Sequence, residues 1–451
     1  MVEVPVKIYI TNLLKAAKDS APSLAALRSQ SKADALIDLA KRIEGDADAI
    51  LDANKQDVDA VGKGLDRTAA KRAVERVRIT GDQIKEMADR LQRIAELPDP
   101  VGAVTEMRTR PNGMQVSRVR VPIGVIGVIS EYGPDVMMKT LALCLKSGNP
   151  CVYRGSAEWA ETTKTLASHV HAAMTAGGVP AGAIAIVERP DKDAALELLR
   201  QPKLVDAIIA RGGLGLQKTV MEQSRVPVLA HDGGISHLYI DEGADLPLAQ
   251  NVVINSKVQD PAAGNSVDTV LVHQAIARTL LPALVRRLLD EFRVEVRGCP
   301  KTITLTGSVP ISGHMSVVAA TDEDWNRQFH ERVVAIKMVA STDEALSHIA
   351  SHGPSHTDAI ITRDYQTAMR FAQTVDAPAV IINASTRLND GEEYGYGLEI
   401  ATSPFRTHAR GPLTLDRLTC EKYVVLGTGQ LRQPHPVPVA YEDAIMLKRP
   451  S

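Results

Sequence analysis

Two histidines in one short segment are the first residues whose chemistry is informative. His231 and His237 enclose Asp232 and a pair of glycines. A neutral imidazole is a suitable general base near pH 7. The same residues could suggest a metal site, but no cysteine or glutamate at ligand spacing completes a set of ligands. We therefore expect proton transfer here rather than a bound metal.

A glycine-rich turn follows an apolar segment and could approach a phosphate group. Arg211, Gly212 and Gly213 come directly before a helical pattern. Glycines let backbone N–H groups at a helix N-terminus come close to a pyrophosphate. The spacing does not match the G-x-G-x-x-G fingerprint of dinucleotide sites. A tight turn without a ligand is therefore as good an interpretation as a nucleotide site.

Two arginines near the C-terminal end suit the recognition of small anions. Arg387 follows Asn383, and Arg410 follows His408, at short spacing. A planar guanidinium offers a bidentate fork to a carboxylate or a phosphate. We predict a site for a small anionic ligand, and exposed turn arginines are the alternative interpretation.

The elements that must position these residues change in type along the chain. An apolar stripe at helical spacing runs from Leu36 to Ile50 and predicts helix in the first part of the chain. Thr105–Val121 alternates polar and apolar residues around an Asn-Gly turn, which predicts a β-hairpin. From Val125 onward, short apolar strands alternate with helices. This alternation predicts parallel sheets with helices on both faces.

Two rounds of this alternation predict two α/β domains with a cleft between them. Residues 1–104 and 123–230 form the first domain in this prediction, and residues 231–421 form the second. The hairpin at 105–122 and a C-terminal strand and tail at 422–451 lie outside both domains. A lone two-stranded ribbon is marginally stable in water, so we expect a partner chain to cover the hairpin.

Composition excludes several classes of function. The chain has 451 residues, of which 44% are hydrophobic and 24% charged, with a formal net charge of −2. This charge gives no electrostatic argument for nucleic acid or a membrane as a partner. No segment approaches the ~18 consecutive apolar residues of a membrane span. The four cysteines show neither metal-site nor disulfide spacing, so we expect reduced thiols and a cytoplasmic location.

The segment Asn255–His273 resembles the nucleophile segment of the gamma-glutamyl phosphate reductases, a branch of the aldehyde dehydrogenase superfamily. Further matching motifs run from about Ala16 to about Arg432. The resemblance implies an aldehyde-dehydrogenase-like α/β fold with two Rossmann-like domains and an oligomerisation hairpin, assembled as a homodimer or homotetramer. In that family a cysteine precedes the asparagine that corresponds to Asn265. Here the matching position is Gly264, which has no side chain and cannot attack a substrate.

Two other positions depart from the family pattern. Asp135 stands where the family has an asparagine that can donate to a developing oxyanion, and an ionised carboxylate would repel that charge. Ala157 replaces a lysine that could pair with the extra phosphate of NADPH. The resemblance thus implies NADP(H) as a weakened cofactor and no metal. The cofactor contacts that it implies are Arg154, Arg211, Gly212, Gly213 and Glu399.

The family motifs are better preserved on the substrate side. By resemblance, His231 lies near the water-activating base and Asn265 lies beside the nucleophile position. The ligand would be a small anion derived from an amino acid. The residues implied to bind it are Asn383, Arg387, His408 and Arg410.

The sequence leaves three functions open. The first is a repurposed enzyme that handles a glutamyl-phosphate-like or semialdehyde-like compound by non-covalent hydride or acyl transfer. The second is an authentic NADPH-dependent glutamate-5-semialdehyde dehydrogenase of proline biosynthesis. The third is a non-catalytic binding or scaffolding subunit that partners an amino-acid kinase. The retained arginines and Glu399 favour the first over the third, since a scaffold has no use for them.

Overall fold

The structure is a computed structural model that describes residues 4–64, 66–188, 191–231, 233–307 and 316–432. The helices in these ranges are α1 (Val6–Ala25), α2 (Ser29–Gly45), α3 (Ala47–Val61), α4 (Arg67–Val77), α5 (Gly81–Glu96), α6 (Pro134–Lys146), α7 (Ala160–Ala176), α8 (Lys192–Leu199), α9 (Leu214–Gln223), α10 (Leu246–Val258), α11 (Gln274–Arg286), α12 (Pro300–Thr306), α13 (Thr342–Ser351) and α14 (Tyr365–Thr374). The strands are β1 (Val104–Thr109), β2 (Gln115–Pro122), β3 (Ile126–Ser130), β4 (Cys151–Arg154), β5 (Ile184–Ile186), β6 (Ala207–Arg211), β7 (Val228–His231), β8 (Ile235–Ile240), β9 (Thr269–His273), β10 (Glu295–Gly298), β11 (Val318–Ala319), β12 (Val333–Val339), β13 (Ser355–Ile361), β14 (Ala379–Ile382), β15 (Thr402–Ser403), β16 (Gly411–Pro412) and β17 (Thr419–Leu426).

The N-terminal helices are held by an aliphatic core and by local capping. The apolar stripe predicted from Leu36 to Ile50 is divided between α2 and α3, because the backbone leaves the helical region at Asp46. Helix α5 begins with a reciprocal capping box between Thr80 and Gln83, which satisfies two N–H groups that a helix start leaves free. Helices α2, α5, α6 and α7 bury their apolar faces in one continuous cluster with β3, β4 and β6.

The first α/β unit is a parallel sheet of five strands in the order β5-β4-β3-β6-β7. All five residues of β3 are buried, as expected for a central strand with helices on both faces. Cys144 and Cys151 lie within this unit and are fully buried. The order places the ends of β3 and β6 side by side, so their following loops meet at one edge.

The second unit is a seven-stranded sheet in the order β11-β10-β12-β9-β8-β13-β14, and the strand pairs are parallel. Together the two units confirm the predicted aldehyde-dehydrogenase-like α/β fold class. Strand β8 was not anticipated from the sequence, although every one of its residues is buried. It carries His237 and directly follows the glycine pair, so its sequence resembles a turn motif more than a core strand.

The hairpin forms a three-stranded antiparallel sheet with the chain's own β17. The turn uses Gly113 with a φ of 85°, a conformation that suits glycine. Tyr423 and Val425 alternate along β17 and are 70% and 51% exposed. An apolar surface of this kind on a sheet is typical of a binding interface.

Two expectations concern the chain outside these sheets. The predicted tail beyond Arg432 lies outside the described residues. Over the described ranges, the helices are too short or too polar to span a bilayer.

We predict that the exposed face of β17 mediates self-association. Val425→Asp should raise the monomer fraction at micromolar concentration, because it places a charge in an apolar contact. Static light scattering of the full chain measures this fraction. Lys63→Asp, a charge change at an exposed site beyond α3, is the matched control. A wild-type chain that is strictly monomeric would contradict the prediction.

Candidate active site

One cleft of about 850 Å³ joins the two α/β units. The loops after β3, β4 and β6 form one wall, at the edge where ligands bind in open parallel sheets. The loop after α10 forms the facing wall. The main lining residues are Arg76, Arg78, Glu131, Tyr132, Asp135, Ser156, Glu158, Trp159, Arg211, Gly212, Gly213, Asp260, Gly264, His330 and His356.

Gly264 lies in this cleft, and hydrogen bonds to its backbone carbonyl group hold it in place. Its oxygen accepts hydrogen bonds from Ser236 Oγ at 3.2 Å and from Gln328 Nε2 at 3.3 Å. A Cβ atom built on Gly264 would lie 3.2 Å from His356 Nε2. A side chain at this position would therefore need the imidazole to move by a few tenths of an ångström.

His356 is the residue that faces Gly264, and it was not singled out from the sequence. The side chain is 6% exposed, and its Nδ1 lies 2.8 Å from Thr357 Oγ1. Burial, together with the smaller effects of nearby Arg211, His330 and Arg387, lowers the pKa of His356 to about 4. The ring is therefore neutral near pH 7. Its place in a family motif was the signal in the sequence, but its chemistry depends on contacts that the fold creates.

Arg387 lies behind the Gly264 loop rather than in the open cleft. Its Nε donates to Gln259 Oε1 at 2.7 Å, its Nη1 donates to Asn265 Oδ1, and Asp260 lies 3.8 Å away. Asn265 Nδ2 donates in turn to the Asn389 carbonyl at 3.0 Å. We predicted Asn265 as catalytic. In the structure its side-chain amide links two loops through these hydrogen bonds.

Asp135 lies in the first turn of α6 and is half exposed to the cleft. Arg90 Nη1 lies 3.7 Å from Asp135 Oδ2, so the carboxylate has a cationic neighbour. Lys139 follows one turn later, and burial lowers the pKa of its amine. Lys139 was missed by sequence reasoning, although its spacing from Asp135 puts both on one helix face.

The glycine-rich turn meets the cleft at the start of α9. Gly213 is the N-cap of this helix, and its N–H donates to Glu131 Oε2 at 2.9 Å. A Cβ atom on Gly212 would clash with the same carboxylate and with Leu216 Cδ2, so a side chain there would require both to move. A dinucleotide phosphate at this helix start would have to replace the Glu131 carboxylate as the partner of the Gly213 N–H.

The comparisons with known proteins agree with this geometry. An aldehyde dehydrogenase family model matches residues 8–304. A gamma-glutamyl phosphate reductase of Moorella thermoacetica is 42% identical over 417 residues, covering 92% of this chain and 97% of the relative. One of Caldanaerobacter subterraneus is 41% identical over 420 residues, covering 93% and 98%. This chain belongs to the gamma-glutamyl phosphate reductase family.

Solved structures support the same conclusion. The crystal structure of gamma-glutamyl phosphate reductase from Thermotoga maritima superposes with a TM-score of 0.87 at 36% identity, covering 94% of this chain and 100% of that one. An acetylating aldehyde dehydrogenase from Geobacillus thermoglucosidasius shares the fold with a TM-score of 0.67 at 18% identity, covering 95% and 98%.

Several of the residues that we predicted to bind ligands do not line the cleft of this reductase. Asn383 directly follows β14 and has a φ of 57°. Its Oδ1 accepts a hydrogen bond from the Thr362 N–H, which directly follows β13, so the side chain links the ends of two neighbouring strands. Arg410 Nη2 donates to Asp376 Oδ1 at 2.8 Å, and His408 is exposed. Their roles in substrate binding stay predictions, and the side chain of His231 lies outside the described residues.

The two remaining cofactor residues lie behind the cleft wall. Arg154 Nη2 donates to the Asp191 carbonyl at 3.1 Å, and burial lowers the pKa of its guanidinium. Glu399 Oε2 accepts the Gly391 N–H at 2.8 Å, and burial raises the pKa of its carboxyl. The charge of Lys139 is the strongest effect that opposes this rise in the pKa of Glu399. The described part of the reductase fold holds no cluster of three metal-ligating side chains.

We predict that His356 makes the stability of this reductase fold depend on pH. The imidazole has its ordinary pKa of 6.5 in the unfolded chain and a pKa of about 4 in the folded chain. Between these two pH values the unfolded chain binds a proton at His356 and the folded chain does not. Stability is therefore lost as pH falls through this window, by about 2 kcal/mol between pH 7 and pH 5.

Urea denaturation at both pH values measures the effect. His356→Gln should remove this part of the pH dependence, because glutamine does not titrate. His171→Gln, at an exposed position of α7, should leave it unchanged. Equal pH dependence in the wild type and the His356 variant would contradict the prediction.

Proposed function

We propose that this chain catalyses the NADPH-dependent reduction of gamma-glutamyl phosphate, or of a closely related amino-acid acyl phosphate, to the semialdehyde. The main support is that relatives bearing the reductase name match nearly the full length at about 40% identity. These names favour the authentic reductase among the three functions that the sequence left open. A binding subunit is the outcome that the assay below would detect.

The proposed reaction proceeds without a thioester, because the cleft offers no thiol. All four cysteines lie in described parts of the chain, and none lines the cleft. Cys144 and Cys151 are buried in the first sheet, while Cys420 is exposed on β17. The acyl carbon then gains a hydride directly and inorganic phosphate leaves. That Gly264 occupies the family's nucleophile position rests on the motif resemblance.

The cleft fits a nicotinamide dinucleotide on the side of the first sheet. Gly212 and Gly213 bring the backbone close to a ligand at the α9 N-terminus, with Ser156 on the neighbouring loop. A bound nicotinamide dinucleotide would supply the hydride. Glu399 and Arg154, which the family resemblance implies as cofactor contacts, do not line the open cleft.

The proposed substrate defines the partners of the chain. An acyl phosphate is made by phosphoryl transfer to a carboxylate, so an amino-acid kinase is the proposed source of the substrate. The exposed apolar face of β17 supports a homodimer or homotetramer as the working assembly.

We predict that turnover resists thiol alkylation. In an assay coupled to a glutamate kinase, ATP and NADPH, the wild type should oxidise NADPH more slowly than the ~10 per second typical of enzymes, because direct hydride transfer lacks covalent catalysis. Iodoacetamide should not change this rate. Gly264→Cys should become sensitive to the reagent, since it places a thiol in the cleft.

Cys420→Ser is the control for alkylation at the exposed thiol, and it should match the wild type. Loss of wild-type activity on alkylation would show that a thiol acts in the reaction. Binding of substrate analogues without any NADPH oxidation would identify the binding subunit instead.

We also predict only a small preference for NADPH over NADH. Position 157 is an alanine, so one partner of the ribose phosphate is missing. A hydrogen bond to a charged group contributes about 1.5 to 3 kcal/mol, and losing it should bring the two dissociation constants within about tenfold. Calorimetric titration measures both constants, with Ala157→Lys as the gain-of-selectivity variant. A wild type with strong NADPH selectivity would contradict the prediction.

A further inference from the structure

The space beside Gly264 is bounded by the tip of one imidazole ring. His356 Nε2 is the atom nearest to the position of a Cβ on Gly264, at 3.2 Å, and the ring carbons Cδ2 and Cε1 are farther, at 3.6 and 3.8 Å. The ring tip is thus directed at the missing side chain. An oxygen atom in that position would lie within hydrogen-bond distance of the nitrogen.

The hydrogen bonds on the other side of the ring determine where its proton lies. Thr357 Oγ1 is fully buried and has two partners among the described residues. Asn389 Nδ2 donates to it at 2.8 Å, and His356 Nδ1 lies 2.8 Å away. An amide NH₂ cannot accept, and among the described residues His356 Nδ1 is the acceptor within reach of the buried Thr357 hydroxyl proton. We therefore assign the proton of the neutral ring to Nε2.

His356 Nε2 is also available to a ligand. Within the described parts of the chain it makes no hydrogen bond, and His356 lines the cleft. A buried N–H without a partner favours an oxygen that carries or gains negative charge.

We propose that His356 donates its Nε2–H to the carbonyl oxygen of the bound acyl phosphate, and that this oxygen occupies the space left free by Gly264. The inference rests on the proposed function and adds a residue to it. His356 polarises the carbonyl and stabilises the negative charge that its oxygen gains when hydride reaches the acyl carbon. As the carbon–oxygen bond to phosphate breaks, the electron pair on this oxygen re-forms the carbonyl double bond and the departing phosphate carries the negative charge. The imidazole keeps its proton throughout.

The substitution at position 264 then has a positive function. A side chain there would fill the oxygen site, whereas glycine opens it. The family pattern has a hydrogen-bond donor where this chain has the Asp135 carboxylate, which lines the cleft. The His356 N–H would offset the repulsion between that carboxylate and the developing negative charge.

Two stable analogues test the contact by calorimetry on the full chain. In the first, a CH₂ group replaces the bridging oxygen of gamma-glutamyl phosphate, which leaves a ketone phosphonate. In the second, the ketone is also replaced by CH₂. The wild type should bind the ketone about fivefold to tenfold more tightly, the value of one hydrogen bond in a buried site.

The variants isolate the two sides of the oxygen site. Gly264→Ala fills the space and His356→Ala removes the donor, so each should abolish the preference for the ketone. The double variant should lose no more than either single variant, because both act on one contact. His356→Gln should retain part of the preference through its amide N–H, and His171→Ala should retain all of it.

The outcomes separate this inference from the proposed function. Failure of both analogues to bind the wild type would overturn the proposed function. Equal binding of the two analogues, or a ketone preference that survives His356→Ala, would overturn the role of His356 alone. Nitrogen-15 NMR of labelled histidine, assigned with His356→Gln, should show the Nε2–H tautomer at pH 7, and an Nδ1–H tautomer would also overturn it.

Discussion

The buried carboxylate of Asp268 is the interaction on which the cleft depends. Its Oδ2 accepts the Ser236 N–H at 3.1 Å, and its Oδ1 accepts the Phe329 N–H at 3.0 Å. Ser236 and Gln328, which these bonds position, both donate to the Gly264 carbonyl. Burial raises the pKa of Asp268, and the nearby Lys257 ammonium opposes that rise. One side chain therefore holds the two segments whose side chains bind the Gly264 carbonyl.

The cleft combines charges of both signs in local pairs rather than one uniform field. Three of its four acids have an arginine close by, and solvent-exposed pairs of this kind contribute little to stability. The pairs are Arg76 with Glu158, Arg90 with Asp135, and Arg387 with Asp260. Their charges largely cancel at a distance, so an anionic ligand must be held by specific donors within contact range. This places the selectivity of the site in a small number of hydrogen bonds.

Much of the fold could be predicted from the sequence, because strand and helix periods are local properties. Strand β8 was missed since its buried histidine and preceding glycines imitate a turn. At the site, Gly264, Asp135 and the glycine-rich turn, which the sequence analysis singled out, line one cleft, and their roles stay predictions. Arg410 was expected to bind a ligand but pairs with Asp376, a partner that adjacent residues do not reveal. The tautomer of His356 depends on Asn389, which is distant in sequence, so only the folded chain shows it.

The missing side chain at position 264 also bears on whether this lineage could regain a thiol. A restored Cβ would press on an imidazole that Thr357 and Asn389 hold in place, and overpacking of this kind costs about 1 to 3 kcal/mol. A single codon change back to cysteine would thus meet a stability penalty before any catalytic benefit. The ring would have to shift by a few tenths of an ångström to accept the new side chain. The stability of a chain with cysteine at position 264 therefore depends on how firmly Thr357 and Asn389 hold the His356 ring, as well as on the thiol itself.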